Sequence, residues 1–264
     1  MTELVPDAAA PHSDAAAPIA VRWLGHATVL LEVDGVRVLT DPVLRQRIGP
    51  LVRIAPPISA SSVGRVDCVL LSHLHADHVD VPSLRGIGRS APILAPYPAA
   101  RWLRRCGLRG IRQLRPGDEA VVQGLRVIAT PAQHDRRRRP LGPAADPVGY
   151  VIRGSRSAYF AGDTDLFGAM AALRGSLEVA LLPVWGWGRD IGAGHLDPDR
   201  AARAAAIIDP RVAIPIHWGT FALGWPVPRP DDPRRPARQF AELTATYAPG
   251  VRVCVLAPGE RISL

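Results

Sequence analysis

Apolar residues in this 264-residue chain fall mostly in short runs closed by Gly, Pro, Asp or Ser, the pattern of buried strands. Residues 21–33 and 36–40 are two such runs meeting at Asp34-Gly35, which predicts a hairpin. Further strands are predicted over 66–71, 92–95, 111–114, 120–122, 125–130, 148–153, 158–161, 179–184, 212–216, 251–256 and 261–264. Helices are predicted over 81–88, 99–106, 166–173, 199–208 and 237–247, the fourth introduced by Asp197-Pro198 as cap and first turn. Residues 43–65, 185–195 and 224–236 lack periodicity and read as loops. Strands and helices alternate, so the fold class is α/β. Residues 1–18, rich in Ala, Pro and Asp, read as a disordered tail, and 19–264 as a single domain without internal repeat.

Metal-ligand residue types recur where these strands end. The run at 66–71 delivers Ser72-His73-Leu74-His75-Ala76-Asp77-His78, three imidazoles and a carboxylate within six residues. His73 and His75, two apart, share one side of extended backbone, while the turn bearing Asp77 and His78 can aim elsewhere. One loop can thus serve two cations. His134, Asp163 and His217 each follow another apolar strand. A single histidine so placed is usually a hydrogen-bonded core or surface residue; the repetition is what points to a metal site at the carboxyl ends of strands.

Composition changes little in this picture. With 47% apolar and 21% charged residues the chain is an ordinary globular one. Its net charge of +8 comes from 32 basic residues, all of them Arg; so complete a bias reads as genomic composition rather than as a nucleic-acid footprint, although a basic surface steers anionic substrates. Cys68, Cys106 and Cys254 show no CxxC spacing; Cys68 and Cys254, in apolar strands, read as buried thiols, which suits a reducing cytoplasm. The N-terminus has no signal-peptide pattern, and no apolar run reaches the roughly 18 residues of a membrane span.

The HxHxDH stretch, with WLGHATVLLE at 23–32, LTDP at 39–42, PAQH at 131–134, AGDTD at 161–165, GHLDPDRA at 194–201 and IHWGTFAL at 216–223, resembles the metallo-β-lactamase superfamily. Within it the similarity is to the branch containing N-acyl-phosphatidylethanolamine phospholipase D and the ascorbate-phosphate lactonases. The resemblance implies a four-layer αββα sandwich. It puts His73, His75 and His134 on one metal, Asp77, His78 and His217 on a second, and Asp163 between them. Imidazole and carboxylate without thiolate suit two Zn²⁺, with Fe or Mn compatible with the same donors.

A dinuclear hydrolase attacking with a metal-bridging hydroxide is therefore expected, most simply a phosphodiesterase acting on a small anionic substrate. Lactone or phosphate-sugar hydrolysis on the same metals is the alternative. A nuclease or nucleic-acid-binding protein using the Arg-rich loops is a second alternative, disfavoured because aromatics are not interleaved with the arginines; a non-catalytic scaffold is disfavoured because no ligand is missing. Asp77 and His195 are the expected catalytic residues, His195 as phosphate contact or leaving-group acid. His26, His195, Arg136 and Trp185 are candidate substrate contacts. Thr164 and Asp41 are expected to orient ligands. Arg136, Arg137, Arg138 and Arg139 could clamp phosphate or form a solvated stretch, and Trp185 and Trp187 could line a pocket or be buried.

Overall fold

The first apolar run is broken where Gly25 and His26 take positive φ (103° and 53°). It forms two antiparallel strands, β1 (Ala20–Gly25) and β2 (Thr28–Val33), not one. The Asp34-Gly35 turn then returns β3 (Val36–Thr40) along β2. The computed structural model describes residues 17–87, 91–138, 142–187, 192–227 and 232–264. Residues 1–16, almost all of the expected tail, and Arg139 lie outside the described residues.

The stretch expected as a bare loop after β3 holds β4 (Arg47–Ile48), β5 (Leu51–Arg53) and one helical turn, α1 (Ala60–Val63). Strands of two and three residues are too short to show alternation. The remaining strands are β6 (Cys68–Leu70), β7 (Ile93–Pro96), β8 (Ile111–Leu114), β9 (Glu119–Val122), β10 (Leu125–Pro131), β11 (Val148–Arg153), β12 (Ser157–Phe160), β13 (Val179–Pro183), β14 (Val212–Ile216), β15 (Phe221–Leu223), β16 (Arg252–Val253) and β17 (Arg261–Ser263). The helices are α2 (Val81–Ile87), α3 (Ala100–Arg105), α4 (Pro198–Ile208) and α5 (Arg235–Tyr247). Gly168–Leu173, expected as an α-helix, is a 3₁₀ helix.

One seven-stranded sheet runs β17-β1-β2-β3-β6-β7-β8 and the other β16-β14-β13-β12-β11-β10-β9; β15-β5-β4 form a third, small sheet. The two large sheets face each other across one core, in which Trp23, Val29 and Leu31 of the first join Tyr150, Phe160 and Leu181 of the second. On the outer face of the second sheet α4 packs against α5 and β13. On the outer face of the first, Leu84 of α2 and Leu103 of α3 pack on Val69 and Leu71, and Val63 of α1 on Leu39. The layers are therefore helix, sheet, sheet, helix, the expected αββα sandwich. Cys68 is buried and burial pushes its thiol up to about 12, whereas Cys254 follows β16 and is only half-buried, a correction to its expected burial in a strand.

Strand direction positions the site. In the first sheet β3 and β6 are parallel, and β1, antiparallel to β2, points the same way. In the second, β12, β13 and β14 are parallel and β10 shares their sense through β11. The carboxyl ends of these strands lead to His26, Asp41, the 73–78 loop, His134, Asp163 and His217. The two edges are also tied together, because His217 N–H donates to His26 C=O (2.9 Å) and the Trp23 indole N–H donates to the same carbonyl (2.9 Å).

Candidate metal centre

Every histidine among the described residues lies at this edge. Ring centroids are 4.5 Å apart for His73 and His75, 4.7 Å for His75 and His134, 5.0 Å for His78 and His217, and 4.6 Å for His134 and His195. Donor atoms of His73, His75 and His134 lie within 4.8 Å of one another, as do those of His26, Asp77, His78 and His217. Gly162 makes the approach of the Asp163 loop possible. Its φ is +62° and a Cβ there would lie 2.5 Å from the Ser72 Cβ, so a side chain would drive the loop from the histidine stretch.

The outward partners of the imidazoles decide which nitrogen faces inward. A backbone carbonyl only accepts, so His75 donates Nε2–H to Arg137 C=O (3.0 Å), His134 donates Nδ1–H to Gly194 C=O (2.8 Å) and His217 donates Nδ1–H to Trp185 C=O (2.5 Å). Asp41, fully buried, accepts from His78 Nδ1 (2.8 Å), the Ser72 hydroxyl (2.5 Å) and Ser72 N–H (2.8 Å). The Ser72 proton being spent on Asp41, its oxygen accepts from His73 Nδ1 (2.9 Å). In their neutral forms five imidazoles thus turn a bare nitrogen to the centre, Nδ1 from His75 and Nε2 from the other four.

These lone pairs confront one another. His75 Nδ1 and His134 Nε2 are 3.0 Å apart, as are His78 Nε2 and His217 Nε2, while His73 Nε2 and Asp163 Oδ1 are buried without a hydrogen-bond partner among the described residues. Asp163 Oδ1 lies 3.2 Å from His217 Nε2 and Oδ2 3.2 Å from His78 Nε2, and one of its carboxylate oxygens lies within 4.8 Å of donor atoms of His134 and His195. Such contacts repel unless positive charge lies among them. The electrostatics of the buried groups make the same demand. Burial alone would lower the His78 imidazolium, but Asp163 and Asp77 hold it well above the ordinary range. Burial alone would raise the Asp163 carboxyl, but His217 and His78 hold it well below. Where no such carboxylate dominates, burial wins and pushes His134 down to about 4 and His217 to about 3. A cation meets these needs without requiring one imidazole to carry two protons.

The other expected site residues are placed as follows. His26 is 1% exposed, its ring 3.8 Å from that of His217 and its Nε2 3.1 Å from Asp77 Oδ2, so it is buried behind Asp77. His195 is 25% exposed with Nε2 3.6 Å from Asp163 Oδ2. Arg136 points to solvent and pairs with Asp146 (2.7 Å), so a substrate contact there would compete with that pair. The half-buried Trp185 packs its ring on the main core and gives its carbonyl to His217. Thr164 accepts from Gln133 N–H (2.9 Å), fixing the residue before His134.

Three contacts escaped the sequence reading. The exposed Trp187 donates its indole N–H to Asp77 Oδ2 (2.9 Å). Arg138 donates to the carbonyls of Leu74 (2.7 Å) and Val79 (3.2 Å), bracketing the ligand loop, with its guanidinium 5.0 Å from the Trp102 ring. It is therefore neither a free clamp nor a solvated arginine. Asp165 pairs with Arg200 beside His195. Asp165 lay within a quoted motif, but nothing local marks its partner.

The family model described as Beta-lactamase superfamily domain matches residues 36–218. A UPF0173 metal-dependent hydrolase of Methanopyrus kandleri is 36% identical over 251 residues, covering 91% of this chain and 97% of that protein. The chain belongs to the beta-lactamase superfamily of metal-dependent hydrolases. Within the superfamily, an N-acyl-phosphatidylethanolamine-hydrolyzing phospholipase D of Caenorhabditis elegans is 29% identical over 229 residues, covering 76% of this chain and 64% of that protein. The branch suggested by the motifs is thus represented among the relatives. A metallo hydrolase from the archaeon Ignicoccus hospitalis shares the fold, with a TM-score of 0.72 at 24% identity over 94% of this chain and 98% of that one.

Proposed function

We propose that this superfamily member is a dinuclear metal-dependent phosphodiesterase. His73 Nε2, His75 Nδ1 and His134 Nε2 form the donor set for one ion, Asp77, His78 Nε2 and His217 Nε2 that for the other, with Asp163 between. The observation that carries the reading is the ring of inward lone pairs, each fixed by an outward acceptor and two pairs of them only 3.0 Å apart. Zinc is the first choice for imidazole and carboxylate donors, and ions bound there would supply a water acidic near neutral pH and an electrophile for the scissile bond.

The chain's own residues supply the rest. Asp41 and the carbonyls of Gly194, Arg137 and Trp185 hold the imidazoles in the tautomers that leave lone pairs inward. His195, within the same cluster but with one quarter of its side chain exposed, is placed to donate a proton or hydrogen bond to the leaving oxygen. Two divalent ions against Asp77 and Asp163 leave a net charge of about +2 before substrate enters, which favours an anionic ester. The phospholipase relative and the basic chain, at +8, point the same way. No described helix is long and apolar enough to cross a membrane.

Turnover of bis(p-nitrophenyl) phosphate is compared with that of a simple lactone, each with and without chelator. Chelator-sensitive cleavage of the diester alone is expected. Opening of the lactone alone would assign the carbonyl-directed alternative, and salt-sensitive oligonucleotide binding without turnover of either would assign a nucleic-acid-binding role.

A further inference from the structure

Among the described residues the His195 ring makes no hydrogen bond and meets the His134 ring edge-on, centroids 4.6 Å apart. Its Nδ1 is buried without a partner among the described residues, and its Nε2 is 3.6 Å from Asp163, beyond a hydrogen bond. With no hydrogen bond to aim it, the ring depends on its backbone for placement, and that backbone is tied down on three sides. Gly194 N–H donates to Asp165 Oδ2 (3.3 Å), Gly194 C=O accepts from His134 Nδ1 (2.8 Å), and His195 C=O accepts from Arg200 Nη1 (3.3 Å). Arg200 Nη2 also pairs with Asp165 Oδ1, so one guanidinium joins the segment bearing His195 to the segment bearing Asp163. Asp165 is itself held, its N–H donating to Gln133 C=O (2.8 Å) and its Oδ1 accepting Leu166 N–H (2.5 Å). The fit is close: Gly194 has φ +81°, and a Cβ there would lie 3.3 Å from both Cα and Nδ1 of His134.

We propose that Asp165 and Arg200 are positioning residues that set His195 at the reaction centre by holding the Gly194-His195 backbone against His134. The consequence for turnover rests on the reading of His195 as the group that serves the leaving oxygen; the tether itself does not. Arg suits the task because two nitrogens of one planar fork reach two different acceptors, a spacing that the single nitrogen of Lys does not reproduce. The anchor sits on rigid elements: Arg200 lies in the first turn of α4, capped by Asp197 (Arg200 N–H to Oδ1, 2.8 Å).

The test compares wild type, H195A, D165N, R200A and R200K as metal-loaded full-length chains on phosphodiesters differing only in the leaving alcohol, from p-nitrophenol to phenol. Hydrogen exchange over residues 192–195 is followed in parallel in metal-free protein. Misplacing a catalytic group by about 1 Å costs on the order of 100-fold. D165N and R200A should lower kcat by about that factor for phenol release and far less for p-nitrophenol, which leaves without a proton. Metal content should be unchanged, R200K intermediate, and exchange at 192–195 faster in D165N and R200A. Exchange at the wild-type rate in both variants, in protein of wild-type stability, would overturn the tether whatever the substrate. Steep leaving-group dependence in H195A alone would overturn its catalytic consequence. A flat response in H195A together with faster exchange in D165N would support the tether and discard the proposed role of His195.

Discussion

Asp41 is the residue whose replacement separates folding from metal binding. It is fully buried and takes three hydrogen bonds, from Ser72 N–H, the Ser72 hydroxyl and His78 Nδ1–H. Asp41→Ala strands all three donors. At about 1–3 kcal/mol for each buried partner lost, and with the serine hydroxyl free to re-aim, the loss should be roughly 3–5 kcal/mol. Asp41→Asn differs. Its amide oxygen, in the place of Oδ1, still accepts from Ser72 N–H, while its NH₂, in the place of Oδ2, faces both the Ser72 hydroxyl and His78 Nδ1; His78 must then present Nδ1 as acceptor and carry its proton on Nε2, where a metal needs the lone pair. That variant should lose only about 1–2 kcal/mol of metal-free stability but at least about 10–100-fold in affinity for one of two ions. Urea unfolding of metal-free protein gives the first quantity and competition with a chromogenic chelator the second. Two ions bound by Asp41→Asn with wild-type affinity would refute the tautomer argument on which the metal centre rests.

Other expectations follow from the same geometry. Metal-free protein should lose stability as pH falls from about 6.5 toward 4. There His73, His134 and His217 stay neutral when folded, burial having lowered them, while the unfolded chain takes up their protons; His78, raised by Asp163 and Asp77, works in the opposite sense. A urea midpoint that rises on acidification over this range would contradict the burial of those rings. Arg138→Ala removes two hydrogen bonds and a cation–π contact from the ligand loop, and should lower the thermal midpoint by about 5 °C and loosen metal binding; an unchanged melting curve would show that the loop holds itself. Trp187→Phe keeps an aromatic ring and deletes the donor to Asp77, so metal release to chelator should quicken without loss of fold, and an unaltered release rate would exclude a part for the indole.

The chemistry of this chain is unusually legible because its ligands follow strands. An apolar run followed by His or Asp is visible in one dimension, and parallel strands put such ends at one edge, so His73, His75, His78, His134, Asp163 and His217 could be gathered before any coordinates. What stayed hidden depends on contacts with no local signature. The turn at Gly25-His26 sits inside a continuous apolar run, and the shielding of His26 depends on a bond from His217 that spans most of the chain. The carbonyls of Trp185, Arg137 and Gly194 fix tautomers, yet a backbone group leaves no trace in a residue name. Arg138 looked like its neighbours in a run of four and differs only because Leu74 and Val79 turn their carbonyls toward it. The pairing of β15 with β5 joins two three-residue segments about 170 positions apart, below any periodicity.

The most direct test is titration of zinc into metal-free wild type, His75→Ala and His78→Ala, read by calorimetry and by elemental analysis of the dialysed complexes. Two ions per chain are expected for wild type, with His75→Ala weakening one and His78→Ala the other. A single ion in wild type, or two retained at full affinity by both variants, would contradict a centre built from these two sets of side chains.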